Sequence, residues 1–152
     1  MTLIKQFSGV IIHLNPLAIF FSEDLRNAKV IPGDSEVFSK QSFEDEKYRF
    51  HSPEAILGQE MEESQIWWDL GIILYELASG NFTPFYHSNL QVKKRLIEKY
   101  QVVFPQNLPY TISDELKNLI RELLTKNKNN RLGYVDQGGV EDIMENMFLR
   151  ID

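Results

Sequence analysis

The chain has 152 residues, 43% hydrophobic and 25% charged, values of one ordinary globular domain long enough to bury a core without covalent staples. It contains no Cys, which excludes a disulfide framework, a Cys-ligated zinc or iron–sulfur centre and a thiol nucleophile. A net charge of −6 speaks against a dedicated nucleic-acid binder, no apolar run approaches the roughly 18 residues of a membrane span, and the start lacks the pattern of a secretory signal, so a reducing, cytoplasmic location is expected.

The charge is uneven. Residues 34–63 carry nine acids and three bases, whereas residues 81–135 carry nine bases and four acids. Such a dipole orients docking on a partner; the plainer reading is two solvated faces.

Residues 2–8 read as a helix stub. Leu17–Phe21 and Ala28–Ile31 are short apolar runs on either side of the polar stretch 22–27, which predicts a small hairpin. Pro32-Gly33-Asp34 breaks structure, and Ser35–Ser52 has the charge and lack of period of a long loop. Ser64 is placed to cap a helix over Gln65–Ala78 that is apolar nearly all round, carries only Asp69 and Glu76 as charges, and ends at Ser79-Gly80-Asn81. A helix of that pattern must be surrounded by others and is the expected central strut. Amphipathic helices follow over Leu90–Tyr100, started by Ser88 or Asn89, and over Ile112–Leu124, capped by Ser113. Val140–Met147 is a last short helix after Gly138-Gly139.

Ser52-Pro53-Glu54, followed by Trp67-Trp68-Asp69-Leu70-Gly71-Ile72-Ile73-Leu74-Tyr75-Glu76-Leu77, resembles the Ala-Pro-Glu element and central helix of a protein kinase large lobe. Pro84-Phe85-Tyr86 resembles the proline–aromatic turn after that helix. Arg131-Leu132-Gly133, with Gly138-Gly139-Val140-Glu141-Asp142-Ile143 and Phe148, resembles the end of the lobe in the AGC group. The resemblance implies a mainly α, protein-kinase large-lobe-like helical domain with a small β-hairpin near the N-terminus. It implies one domain over 1–152 with the small lobe absent and residues 32–52 as an activation-segment-like loop. It also implies a buried ion pair between Glu54 and Arg131, costly to break because either partner alone is stranded in low dielectric.

Phosphoryl transfer requires a Gly-rich loop and a Lys, both on the small lobe, together with an Asp for the substrate proton and an Asn and a second Asp for metal. Ile11–Ala18 stands where the resemblance puts the catalytic loop. Counting back from Pro16 sets His13 at the Asp position; counting forward from Gly9 requires a one-residue gap. Neither register supplies an Asp, the first of which in the chain is Asp24. Ala18 replaces the metal-binding Asn, Pro32 the metal-binding Asp, and Ile66 the Asp that braces the catalytic loop; Asp34 serves only after a two-residue insertion. The activation-loop Gly-Thr reads Glu46-Lys47. His13, His51 and His87 lack metal-ligand spacing.

These losses lead to the expectation of no enzyme, no cofactor and no metal, but of a pseudokinase-like scaffolding or structural subunit that binds other proteins in a larger assembly. Phe82, Phe85, Tyr86, Leu90, Ile97 and Tyr100 are its candidate contacts, with an apolar face near Leu17–Phe21 and Val30-Ile31 that a small lobe would cover. The alternative is a regulatory pseudo-enzyme that holds a basic peptide or an active kinase in a remnant groove. Glu76 matches an acid that contacts a substrate arginine in basic-directed relatives, although Leu17 replaces its acidic neighbour. A third reading, an active kinase completed by a separate small lobe, runs against the missing carboxylates; His13 has a pKa suited to a general base, but a lone His is more often structural.

Overall fold

The computed structural model describes residues 19–21, 28–30, 48–59, 64–80 and 82–145. Strands β1 (Ile19–Phe21) and β2 (Ala28–Val30) pair antiparallel, with Ile19 opposite Val30, Phe20 opposite Lys29 and Phe21 opposite Ala28. This is the hairpin that the two apolar runs predict. The helix expected at 2–8 and most of the loop expected at 35–52 lie outside the described residues.

Helix α1 (Pro53–Ile56) was not foreseen, although its start is written in the sequence. Ser52 adopts an extended backbone and its Oγ accepts from the Ala55 N–H at 3.3 Å. Pro53 follows with a preset φ and no N–H to leave orphaned, and Glu54 puts an acid in the first turn. Helix α2 spans Ser64–Ser79 and gives way to Gly80 at φ +75°. Ser64 is its first residue rather than a side-chain cap: its Oγ is buried without a hydrogen-bond partner among the described residues. Helix α3 (Leu90–Lys99) is capped by Asn89, whose Oδ1 accepts from the N–H groups of Gln91 and Val92. Helix α4 (Asp114–Leu123) is capped by Ser113, which accepts from Leu116 N–H at 3.2 Å. Short 3-10 turns at Lys128–Asn130 and Val135–Gln137 lead into α5 (Gly139–Glu145).

Helix α2 is the strut that its apolar pattern predicts. One side carries Trp68, Ile72 and Tyr75 into a core completed by Phe85, Ile97, Val102, Ile120 and Leu124. Trp67 enters a second cluster with Leu119, Leu123 and Ile143. Burying a large apolar side chain fully contributes about 1.5–3 kcal/mol, so these two clusters are the main apolar drive among the described residues. The apolar surround is not complete, since Leu77 remains 70% exposed.

Helix α2 packs on α4 and α1 on α3. Gly71 permits the closest approach to the α4 end, because a Cβ there would stand 2.8 Å from Leu124 Cδ2. Gly133 is more constrained. Its φ is +88°, and a Cβ would fall 2.6 Å from Ile143 Cδ1 and 2.7 Å from the Trp67 ring. Gly133→Ala is therefore expected to cost about 1–3 kcal/mol from overpacking and backbone strain, read as a lower urea midpoint with an unchanged slope.

Candidate functional site

Arg131 follows the 3-10 turn that Asn127 caps, and the fold buries it completely, at 0% exposure. Its guanidinium Nη1 donates to Glu54 Oε1 at 2.6 Å and to the Ser64 carbonyl at 3.0 Å. Nη2 donates to Glu54 Oε2 at 2.9 Å, and Nε to the Thr125 carbonyl at 3.0 Å. The fork thus holds α1, the start of α2 and the end of α4 at one point, with the Trp68 ring 5.0 Å from its Cζ. Burial works to raise the Glu54 carboxyl, but the Arg131 hydrogen bonds and charge, with help from Ser52, outweigh it and hold the group below its ordinary 4.5.

A polar chain runs alongside. Ser52 Oγ donates to Gln65 Oε1 at 2.5 Å, and Gln65 Nε2 donates to Asp69 Oδ1 at 2.6 Å and to the Phe50 carbonyl at 3.0 Å. Farther along α2, Glu76 is buried, and Arg49 donates to it twice, from Nε to Oε1 at 2.8 Å and from Nη2 to Oε2 at 2.6 Å. Residues 48–54 are in this way fastened along the length of α2.

The Lys126 ammonium lies against two aromatic rings. Its Nζ is 3.7 Å from the centre of the Phe85 ring and 5.0 Å from that of Trp68, and those two rings stack on each other. The Nζ is buried without a hydrogen-bond partner among the described residues. Burial, joined by the Arg131 charge, pushes its pKa down to about 7.

The structure divides the expected partner contacts. Phe82, Tyr86, Leu90 and Tyr100 are exposed. Phe85 and Ile97 are core residues, at 4% and 1% exposure, and are unavailable to a partner. Phe85 turns inward because the stack on Trp68 removes its ring from water, and Ile97 because it lies on the face of α3 that meets the core. Glu76 is equally closed, engaged by an arginine of its own chain. Ile66 is half-buried between Gln65 and Trp67. His13, Leu17, Ala18 and Pro32 lie outside the described residues, as do the side chains of the expected apolar face at 17–21 and 30–31.

Two of the charged side chains that meet buried groups carry no signal in the sequence. Arg49 shares no local spacing with Glu76, and Lys126 sits in a run of polar residues that looks like ordinary surface. A groove of about 650 Å³ also opens beside α4, lined by Phe104, Pro105, Leu108, Tyr110, Lys117 and Arg121. Among the described residues no group of three or more His, Asp or Glu is placed to hold a metal ion, and no helix is long and apolar enough to cross a membrane.

A helical platform around a Trp-Trp strut, closed by a buried Glu–Arg pair, defines a protein kinase large-lobe-like domain. The chain matches the protein kinase domain family over residues 25–149 and belongs to that family. It is 39% identical over 99 residues to flippase kinase 1 of Saccharomyces cerevisiae, covering 65% of this chain and 10% of that protein. It is 36% identical over 94 residues to the RAC serine/threonine-protein kinase of Drosophila melanogaster, covering 62% of this chain and 14% of the relative. To the serine/threonine-protein kinase gad8 of Schizosaccharomyces pombe it is 35% identical over 97 residues, covering 64% and 16%. The chain is AGC-related, and the matched stretch spans between a tenth and a sixth of the length of these relatives. These findings correct the expectation of no enzyme: the family and the serine/threonine kinases within it point to an enzyme. The family match begins at residue 25, after His13 and Ala18.

Glu54→Ala is expected to destabilise the fold by about 3–5 kcal/mol, because it strands a buried guanidinium. The depressed Glu54 carboxyl contributes stability above its ordinary value, and that contribution is lost as pH falls through its lowered folded value. The gap in melting temperature between wild type and variant should therefore narrow below about pH 4. Lys126 behaves oppositely. The unfolded chain holds its proton up to about pH 10.5 and the folded chain up to about pH 7, so wild-type stability rises with pH across that window. Lys126→Met should melt higher than wild type at pH 7, with the gain shrinking toward about pH 9.5. The aromatic faces favour the ammonium and so limit the size of that gain.

Proposed function

We propose that this chain forms the large-lobe side of an AGC-type serine/threonine kinase, and that its described part is the platform on which protein substrates and partners are held. The observation that carries the reading is the Glu54–Arg131 pair. It joins residues 77 apart and sets the turn ahead of α1 at a fixed place beside α2. A segment so held presents a constant surface to an incoming polypeptide, which positioning for phosphoryl transfer demands. In that reaction the γ-phosphoryl group of ATP passes to a serine or threonine hydroxyl, with metal ions neutralising the charge.

A second reading, favoured by the exposed Phe82, Tyr86, Leu90 and Tyr100, is a scaffolding subunit that binds other proteins within a larger assembly. Apolar side chains grouped over nineteen residues of chain are the composition of a contact surface. A cytoplasmic setting suits both readings.

The test is phosphotransfer by the full protein, supplied with γ-labelled ATP, magnesium and a serine/threonine substrate mixture. Label on serine or threonine, lost on omission of magnesium, is the expected result. Absence of label, together with a stoichiometric complex purified from native extract that Phe82→Ser/Tyr86→Ser disrupts, would replace the first reading by the second.

A further inference from the structure

The loop between α3 and α4 is pinned at both ends. Val102 and Ile112 are buried, and Tyr75 Oη donates to the Val103 carbonyl at 2.8 Å. The Phe104 ring is held as well, packed on the core with the centre of the Tyr75 ring 5.3 Å away. Between this loop and α4 lies the groove of about 650 Å³. Phe104, Leu108 and Tyr110 give it apolar lining, and Asp114, Lys117 and Arg121, three and four residues apart on α4, give it charge. The three charges are not equivalent. Asp114 stands in water with its side chain 88% exposed, and its 3.1 Å contact with Lys117 is a surface pair that adds little stability. Lys117 keeps 25% exposure. The Arg121 guanidinium lies 5.3 Å from the centre of the Phe104 ring and donates from Nη1 to Asn118 Oδ1, with no carboxylate bound to it among the described residues.

We propose that this groove docks an acidic segment of another protein, a short peptide in which a carboxylate lies next to an aromatic or leucine side chain. Charge complementarity carries the choice of occupant. Residues 81–135 hold nine bases and four acids, and the one acid of the groove lining is turned to water. A carboxylate accepts two parallel N–H bonds from the fork of Arg121, which the Phe104 ring keeps oriented, and meets a second positive charge on Lys117 one turn away. Phe104, Leu108 and Tyr110 then cover the apolar neighbour of that carboxylate. Because the loop ends and the Phe104 ring are already fixed, binding orders little of the protein, and a short segment suffices. A basic segment is repelled. The surface is separate from the exposed Phe82, Tyr86, Leu90 and Tyr100, and the proposal does not need phosphotransfer.

The test titrates the full chain with a blocked five-residue peptide, glycine–glutamate–phenylalanine–glutamate–glycine, followed by calorimetry and by the amide resonances of residues 102–121. Saturable binding is expected, at least about fivefold tighter than with glutamine in place of glutamate, and weakening as salt rises from about 0.05 to 0.5 M. The lysine counterpart should not bind, and replacing phenylalanine by glycine should weaken binding by at least about fivefold. Arg121→Gln should weaken the glutamate peptide by a similar factor. Lys117→Glu/Arg121→Glu should abolish its binding and admit the lysine peptide. Melting temperature checks the fold of each variant, and Arg121→Gln decides the question if the double variant does not fold. No saturable binding, equal binding of the glutamate, glutamine and lysine peptides, indifference to the phenylalanine, full binding by Arg121→Gln, or resonance shifts confined to other residues would overturn the proposal. So would a concentration-dependent dimer that Arg121→Gln breaks and that excludes the peptide, which would make a second copy of this chain the occupant. Because binding alone is read, these outcomes are separate from the failure of the kinase reading.

Discussion

The buried guanidinium of Arg131 is the constraint on which the rest of the described structure depends. It satisfies Glu54 through two hydrogen bonds and donates as well to two carbonyls, of Ser64 in the first turn of α2 and of Thr125 just past α4. Loss of either charge would leave its partner uncompensated at zero or near-zero exposure. Apolar replacements of matching shape could hold the helices together as well, but they would not select one orientation. A fork with directed donors does, and it carries the turn before α1 with it.

Seen along α2, polar contacts recur at three levels. Arg131 meets the start of the helix, Ser52 and Phe50 are tied to Gln65, and Arg49 reaches Glu76 near the end. A single segment, 48–54, is thereby laid against the strut and held by hydrogen bonds whose partners are mostly buried. Lys126 adds an ammonium against the stacked Phe85 and Trp68 rings, where burial and ring quadrupoles act in opposite directions. The apolar clusters hold the helices together, and the polar contacts fix how the segment 48–54 lies against α2.

Membership of the protein kinase domain family changes the functional conclusion drawn from the catalytic-loop resemblance. Substitutions at His13, Ala18, Pro32 and Ile66 led to the expectation of a protein without catalysis, whereas the family and the serine/threonine kinases within it point to an enzyme. Of those four positions, Ile66 alone is among the described residues. The helices from α1 to α5, by contrast, lie within the described residues, and there Glu76 is paired with Arg49 of its own chain.

The sequence by itself determined the elements and their order: the hairpin, the strut over 64–79, the capped amphipathic helices and the close of the lobe. These signals are local, since a cap acts within three residues and an apolar stripe repeats within a turn. The resemblance at Ser52-Pro53-Glu54 and Arg131 also marked a pair that lies 2.6 Å apart in the fold. Tertiary structure alone decided that Phe85 and Ile97 point inward while Phe82 and Tyr86 face water, that Arg49 pairs with Glu76, and that the Lys126 ammonium is buried against the Phe85 and Trp68 rings. Each of these depends on where one helix meets another across tens of residues of chain, and neither a side chain's type nor its spacing encodes which neighbour that packing brings to it.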